Sequence, residues 1–216
     1  MRILILGATG RTGKLILQEA LQQGYEVNVL VRDRSLMSVH PVLTVFEGSP
    51  ADSKMLNNAM KGCDAILSAL NISRNSDFPW ARLRTPQDFL SKVAELIIDL
   101  APQNNIDRII ITSAWGTSDT RGEIPWWFKW VIDNSNVGVA YSDHERQEGL
   151  FAASVLNYTI VRPSGLVNSA KRKPVIVSLN NQPKPRFTIS RGDVAGFILQ
   201  VLQDNLFVRQ MPVISA

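Results

Sequence analysis

The sequence predicts an α/β fold in which helices cover both faces of a doubly wound parallel sheet. Short apolar runs rich in β-branched residues alternate with amphipathic stretches along most of the chain. The first apolar run also passes directly into a glycine-rich turn and a helical pattern. Strands separated by helices pair in parallel, because each crossover helix brings the chain back to the end of the sheet where the previous strand began.

The first half of the chain alternates strictly between strand and helix. We predict strands at Arg2–Leu6, Glu26–Val31, Leu43–Phe46, Ala65–Leu70 and Arg108–Thr112. We predict helices at Lys14–Gln23, Asp52–Met60 and Gln87–Ala101. Each strand is a short apolar run, and each helix carries apolar residues at three- and four-residue spacing. Gly24 suits the C-terminal cap of the first helix, and the polar segment Asn71–Arg84 separates the fourth strand from the third helix.

The second half loses this alternation. We predict strands at Tyr158–Val161 and Met211–Ile214, shorter strands at Val175–Leu179 and Phe187–Ile189, and helices at Ser142–Ala153 and Arg191–Gln203. A long connection rich in tryptophan occupies residues 117–136. We therefore expect one domain over residues 1–216, with a small C-terminal lobe on the substrate side formed mainly by residues 115–140 and 165–190.

Composition indicates a globular chain with an ample core. The 216 residues are 45 % hydrophobic, which fits one domain. No apolar stretch approaches the ~20 residues of a membrane span, and the chain enters its first strand at once, so we expect no membrane partner and no signal peptide. The single cysteine, Cys63, excludes an internal disulfide and favours a buried thiol, rather than a reactive one, in a reducing cytoplasm.

The net charge of +4 comes from scattered basic residues. Such a field suits anionic small molecules, so we expect no nucleic-acid partner and a monomer or weak dimer. The cysteine and histidines show no zinc-ligand spacing, and no metal site is predicted.

Three glycines follow the first strand at intervals of three residues. Gly7 permits a sharp turn, Gly10 lets a pyrophosphate approach the backbone, and Gly13 lets the helix pack closely on the strand. The N-terminal N–H groups of the helix then face the phosphates. This arrangement predicts a dinucleotide-binding Rossmann fold. The alternative is a purely structural turn of another open α/β sheet.

The end of the second strand predicts the nucleotide. An acidic residue there binds the ribose hydroxyls of NAD, whereas an arginine accommodates the 2′-phosphate of NADP. Arg32 offers a bidentate cation at this position, and Arg11 in the glycine turn adds a second. Asp33 would bind ribose if the strand ended one residue later. We predict NADP (NADPH), with NAD less favoured and an ordinary solvated turn as the remaining alternative.

Polar residues follow the other central strands. Ligands of open α/β sheets bind outside the carboxyl ends of the strands, so Leu70, Asn71, Ser113, Pro163 and Ser164 share one predicted crevice. Each of the polar residues alone is more typical of a loop cap. Because they all follow strand ends, the sequence supports a functional crevice and a set of unrelated loop caps about equally.

Five segments together resemble one known group of proteins. They are Gly7–Gly13, Gly24–Asp33, Thr112–Ala114, Tyr158–Pro163 and Ile189–Ala195. They are similar to the atypical short-chain dehydrogenase/reductase group, including its NmrA-like NAD(P)H-binding members, and most similar to flavin reductases of the biliverdin reductase B type. The resemblance spans nearly the whole chain and is more specific for fold and cofactor than for substrate.

The resemblance implies a role for each site residue. The pyrophosphate would be held by the glycine turn, at Gly7, Thr9, Gly10, Arg11, Thr12 and Gly13. The rest of the cofactor would be lined by Arg32, Gly48, Ser49, Leu70, Asn71, Ser113, His144 and Pro163. Arg32 would take the 2′-phosphate and Ser113 would lie beside the nicotinamide. Ser49 replaces a customary aspartate, which weakens the adenine contact.

The chain departs from the group at the proton relay. Tyr141–Glu145 lacks the Tyr-x-x-x-Lys pattern, and His144 stands where many relatives have the lysine. Ser164 stands where flavin reductases have a second histidine. The predicted catalytic residues are therefore Ser113, His144 and Ser164. His144 is expected to bind the cofactor ribose, with acid–base catalysis and a plain surface position as alternatives.

A site without this relay suits hydride transfer to a planar ring, because the cofactor carries the chemistry and water can supply the proton. We predict an NADPH-dependent reductase of FMN, a tetrapyrrole or a similar planar acceptor. Four tryptophans are available to roof the acceptor: Trp115, Trp126, Trp127 and Trp130. The last three are better explained by a helix that packs its aromatic face into the core or against a partner. The alternatives are an NADP-binding redox sensor without catalysis and a sugar-nucleotide epimerase.

Overall fold

The computed structural model describes residues 1–216, and eight of its ten strands form one sheet. The strands are β1 (Arg2–Leu6), β2 (Glu26–Val31), β3 (Leu43–Glu47), β4 (Ala65–Ser68), β5 (Arg108–Thr112), β6 (Asn157–Pro163), β7 (Gly165–Val167), β8 (Ile176–Ser178), β9 (Thr188–Ser190) and β10 (Val213–Ser215). The helices are α1 (Arg11–Gln22), α2 (Ser53–Met60), α3 (Phe89–Gln103), α4 (Trp126–Asp133), α5 (Val137–Ala153) and α6 (Arg191–Gln203).

The side chains of β1 alternate between two hydrophobic cores. Ile3 and Ile5 pack with α1 and α6 on one face of the sheet, whereas Leu4 and Leu6 pack with α2, α3 and α5 on the other. All four side chains are fully buried. A central strand that is covered on both faces needs apolar residues throughout, which explains its continuous apolar sequence.

The strand order of the large sheet is β3-β2-β1-β4-β5-β6-β10-β8. Every pair from β3 to β10 is parallel, and β8 is antiparallel to β10. The chain moves outward from β1 in one direction and then in the other, so a crevice opens at the carboxyl ends of β1 and β4. The predicted doubly wound α/β fold is confirmed. β7 and β9 form a second, two-stranded sheet from residues 165–190, the segment that we predicted to contribute to a substrate-side lobe.

The helix α1 begins at Arg11 instead of Lys14. The Lys14 N–H donates to the Gly10 carbonyl oxygen at 2.9 Å, so the first helical turn closes inside the glycine segment. Glycine has a low helix propensity, and the sequence pattern therefore placed the boundary too late.

The tryptophan-rich connection contains a helix, α4, which agrees with the alternative of a helix for Trp126, Trp127 and Trp130. The next helix, α5, begins at Val137, five residues before the predicted Ser142. Gly138 makes this early start feasible, because a Cβ at that position would lie 2.4 Å from the Ile132 carbonyl oxygen. Close approach of backbone to backbone leaves no periodic signal in the sequence. None of the helices is both long enough and apolar enough to cross a membrane.

We expect Gly13→Ala to lower the free energy of unfolding by about 1–3 kcal/mol, the usual range for overpacking. The added methyl carbon would lie 2.0 Å from the Gly7 carbonyl oxygen, which belongs to the backbone and cannot rotate away. Gly149 in α5 is a matched control, because nothing lies within 4 Å of a Cβ built there. Gly149→Ala should stabilise the protein by about 0.5–1 kcal/mol. Urea unfolding measures both, and an unchanged midpoint for Gly13→Ala would contradict the close-packing role.

Candidate functional site

A cleft of about 380 Å³ lies at the carboxyl edge of the sheet, at the ends of β1, β2, β4, β5 and β6. It brings together most of the predicted site residues, namely Gly7, Thr9, Gly10, Arg11, Thr12, Arg32, Leu70, Asn71, Ser113, His144 and Pro163. Gly13, Gly48, Ser49 and Ser164 do not line it. The crevice predicted from the strand ends is present, and the role of each residue in it stays a prediction.

The glycine turn brings the start of α1 to the cleft. Gly7 has a φ of +82°, a conformation that disfavours any side chain. A Cβ there would also lie 2.8 Å from the Ala69 carbonyl oxygen, so there is no space for one. The Gly10 N–H donates to the Gly7 carbonyl oxygen at 2.9 Å and closes the turn. No side chain caps α1, so its first N–H groups can bind an anion in the cleft. Gly13 lies under this turn and serves the packing of helix on strand.

Arg32 lines the cleft directly after β2. The neighbouring Asp33 turns away from it and accepts hydrogen bonds from the Ser35 hydroxyl at 2.6 Å and the Ser35 N–H at 2.9 Å. These hydrogen bonds lower the pKa of Asp33. Because Asp33 caps the following turn, the charged group that β2 offers to a nucleotide is a guanidinium, which fits a 2′-phosphate.

Gly48 and Ser49, which follow β3, lie outside the lining of the cleft. The Ser49 hydroxyl accepts from the Ala51 N–H at 3.2 Å, and Gly48 packs against Met55 of α2. From this turn it is Pro50 that lines the cleft. An adenine contact by Gly48 or Ser49 stays a prediction.

The connection from β4 to α3 forms part of the cleft wall, including Arg74 and Asp77. Arg11 donates to both carboxylate oxygens of Asp77, at 2.8 and 2.7 Å, and this contact lowers the pKa of Asp77. The structure thus commits Arg11 to an ion pair, whereas the sequence suggested a free cation beside the phosphates. Sequence analysis missed Asp77, because its contact with Arg11 spans 66 positions and leaves no local pattern. Arg74 was missed as well.

His144 of α5 lines the cleft and is only 3 % exposed, so the surface alternative is wrong. Burial lowers the pKa of His144 to about 4, although Glu148 and Asp143 act in the opposite direction. The imidazole is therefore neutral at pH 7. Its Nδ1 atom is buried and has no hydrogen-bond partner in the protein. A neutral ring with an unpaired nitrogen at a cleft is suited to contact a ligand.

Ser113 directly follows β5, and its hydroxyl donates to Glu148 Oε1 at 2.6 Å. Glu148 also pairs with Arg162 of β6, through Nε–Oε1 at 3.0 Å and Nη2–Oε2 at 2.8 Å. Both side chains of this pair are 2 % exposed. Sequence analysis missed Glu148 altogether. The available signal was Arg162, a charged residue at the end of an apolar strand. Ser164, next to the lining residue Pro163, has a buried hydroxyl without a partner and does not itself line the cleft.

The four tryptophans that were available to roof a substrate lie elsewhere. Trp115 is buried and its indole N–H donates to Glu123 at 2.9 Å. Trp126, Trp127 and Trp130 of α4 are exposed, and none of the four lines the cleft. The cleft therefore has no tryptophan roof, and the three tryptophans of α4 lie on a helix, as in the alternative that we favoured for them. The reason is that α4 packs through its opposite side against α5 and turns these three indoles outward.

Comparison with known proteins agrees with this geometry. A sequence model of the NAD(P)H-binding family matches residues 7–205. The oxidoreductase GME11367 of Pestalotiopsis microspora is 27 % identical over 215 residues, which cover 93 % of this chain and 79 % of that protein.

Two solved structures share the fold. ChuY, an anaerobillin reductase from Escherichia coli O157:H7, is 21 % identical with a TM-score of 0.82, covering 100 % of this chain and 97 % of that one. A short-chain dehydrogenase/reductase from Veillonella parvula in complex with NADP is 20 % identical with a TM-score of 0.79, covering 100 % and 94 %.

The uncapped helix N-terminus, the glycine turn and Arg32 fit a dinucleotide in the cleft. The predicted membership of an NAD(P)H-binding group is confirmed by the family match over most of the chain. The chain belongs to the NAD(P)H-binding family and is an NAD(P)H-dependent oxidoreductase.

Proposed function

We propose that the protein is an NADPH-dependent reductase that transfers a hydride directly to a flavin or a similar planar acceptor, such as FMN or a tetrapyrrole. One observation carries this proposal: neither Tyr141 nor His144, in the segment where relatives have the Tyr-x-x-x-Lys relay, is placed to donate a proton to a substrate. Tyr141 donates its hydroxyl to the Trp115 carbonyl oxygen at 3.1 Å, and burial raises its pKa. His144 is neutral, with a pKa of about 4. Carbonyl reduction needs an acid for the developing alkoxide, whereas a flavin can take its proton from water.

The residues of the cleft would bind and orient the reactants. NADPH, when bound, supplies the hydride. The N–H groups at the start of α1 would hold the pyrophosphate, and Arg32 the 2′-phosphate. His144 would contact a ribose hydroxyl, and Ser113 would lie beside the nicotinamide. Holding two rings in parallel contact is the main task that such a transfer sets the protein.

The acceptor class has support from the fold neighbours. ChuY is an anaerobillin reductase, which favours a tetrapyrrole-like acceptor for the present protein. Leu166 of β7 lines the cleft, so residues 165–190 remain the substrate-side element of this proposal, whereas residues 115–140 supply no lining residue.

We also place the protein in the cytoplasm. Its free Cys63 is buried, with a pKa raised to about 11 by burial, and fits a reducing compartment.

The proposed activity is tested by mixing the protein with NADPH and a panel of acceptors. We expect oxidation of NADPH with FMN and riboflavin and almost none with simple aldehydes or ketones. A primary isotope effect with stereospecifically deuterated NADPH would identify direct hydride transfer. If NADPH binds tightly and no planar acceptor is reduced, the redox-sensor alternative replaces this proposal.

We expect NADPH to bind at least about tenfold more tightly than NADH, the scale of one charge-assisted pair. Arg32→Glu should abolish this preference, because it replaces the only guanidinium that β2 presents to the cleft. Arg34→Glu is the matched control, since Arg34 is exposed and lies outside the cleft. Calorimetry measures all the affinities. Equal affinities of the unaltered protein for the two nucleotides would refute the role of Arg32.

We expect His144→Ala to weaken NADPH binding more than it slows turnover at saturating NADPH. The reason is that a ring with a pKa of about 4 holds no spare proton at pH 7 and acts by orienting the cofactor. The rate of the unaltered protein should show no His144 ionisation near the ordinary pKa of 6.5. Steady-state kinetics from pH 5 to 8, together with calorimetry, test both. A turnover loss of about a hundredfold or more at unchanged affinity would indicate general acid catalysis.

A further inference from the structure

Glu148 receives five hydrogen bonds beneath the cleft. On Oε1 it accepts from the Ser113 hydroxyl at 2.6 Å and from Arg162 Nε at 3.0 Å. The Thr117 hydroxyl also lies 2.9 Å from Oε1 and shares its one hydrogen between Oε1 and the Ala114 carbonyl oxygen at 2.8 Å. On Oε2 it accepts from the Ser118 hydroxyl and from Arg162 Nη2, both at 2.8 Å. The carboxylate therefore has a donor on every side.

These contacts keep Glu148 ionised. Burial alone would raise its pKa, but the hydrogen bonds and charge of Arg162, together with the hydroxyls of Ser113 and Ser118, outweigh burial and lower the pKa. The remaining nitrogen of Arg162, Nη1, pairs with Asp119 at 2.8 Å, so the guanidinium is fixed as well. An ionised carboxylate can only accept hydrogen bonds. In each of the hydroxyl contacts, the hydroxyl must be the donor.

Ser113 has a single hydroxyl hydrogen, and Glu148 takes it. The Ser113 N–H is also committed, because it donates to the Val161 carbonyl oxygen of β6 at 2.8 Å. Since Ser113 lines the cleft, a ligand there meets only the lone pairs of its oxygen. A serine that polarises a substrate carbonyl would have to donate into the cleft. This serine would first have to break a charge-assisted bond to a buried anion.

We propose that Glu148 and Arg162 are positioning residues that hold Ser113 as an obligate hydrogen-bond acceptor, so that this end of the cleft selects a planar ring bearing an N–H group. The inference rests on the proposed function for the identity of that ring. The N–H belongs either to the ring of the hydride acceptor or to the carboxamide of the nicotinamide, and both present the same chemistry to the serine oxygen. Neither Glu148 nor Arg162 lines the cleft, so both act through Ser113.

The test compares ligands that differ in one N–H group. Lumiflavin and N3-methyl-lumiflavin are titrated against the full-length protein saturated with NADP⁺. In a second arm, NADP⁺ is compared with its 3-acetylpyridine analogue, which has a methyl in place of the amide nitrogen. We expect the N–H form of at least one pair to bind about fivefold more tightly or better, as for one hydrogen bond. The pair that shows the preference identifies the source of the N–H.

Ser113→Ala should reduce that preference to about one, because the accepting oxygen is gone. Glu148→Met should also reduce it, because the Ser113 hydroxyl loses its acceptor and is free to donate into the cleft. Ser118→Ala is the matched control: it removes a different donor from Glu148 and should keep the preference. Melting temperatures of all variants separate loss of fold from loss of recognition.

The inference is overturned if the unaltered protein shows no preference in either pair, a result that needs no variant. It is equally overturned if a preference survives Ser113→Ala. Both arms measure binding, so they are independent of turnover. Flavin binding with an N–H preference but without NADPH oxidation would refute the proposed function and leave the role of Ser113 standing.

Discussion

The contact of backbone with backbone between the start of α1 and the end of β1 determines where the cleft can form. Gly13 lies so close to the Gly7 carbonyl oxygen that a Cβ would approach it to 2.0 Å. This contact directs the uncapped N-terminus of α1 to the carboxyl edge of the sheet. Because β1 pairs with both β2 and β4, its position also sets the distance from the N-terminus of α1 to Arg32 and to Asn71. The nucleotide site is therefore a consequence of how one helix sits on one strand.

At the other end of the cleft, the buried pair of Glu148 and Arg162 fixes the positions of α5 and β6 relative to each other. Two desolvated charges are tolerated because their contact is bidentate and further hydroxyls complete the carboxylate. Loss of one partner would leave an uncompensated buried charge, which typically costs about 3–5 kcal/mol. The position of Ser113 thus rests on a contact that the fold itself needs. Packing and recognition depend here on the same two side chains.

Local patterns predicted the sheet, the glycine turn and Arg32, since each depends on neighbours in sequence. The missed features depend on distant residues: Asp77 is 66 positions from Arg11, and Glu148 is 35 positions from Ser113. Asp33 was ambiguous in the sequence because only the end of β2 decides which side chain faces the nucleotide. The position of the α4 tryptophans relative to the cleft could not be predicted for a related reason. An amphipathic pattern shows that a helix has two faces, but not which of them meets the cleft.

His144 and Glu148 lie one turn apart on α5, and the pKa of each is lowered for a different reason, which leaves His144 neutral and Glu148 charged. His144 has an unpaired Nδ1, so burial prevails and the ring is neutral. Glu148 has five donors, so its hydrogen bonds prevail and it stays charged, but below the cleft. The cleft consequently presents neutral hydrogen-bonding groups near Ser113 and a cation, together with free helix N–H groups, near Arg32 and the glycine turn. This matches a molecule with anionic phosphates at one end and an uncharged ring at the other, and the uncharged end is where a second planar ring can stack without losing the hydration of a charge.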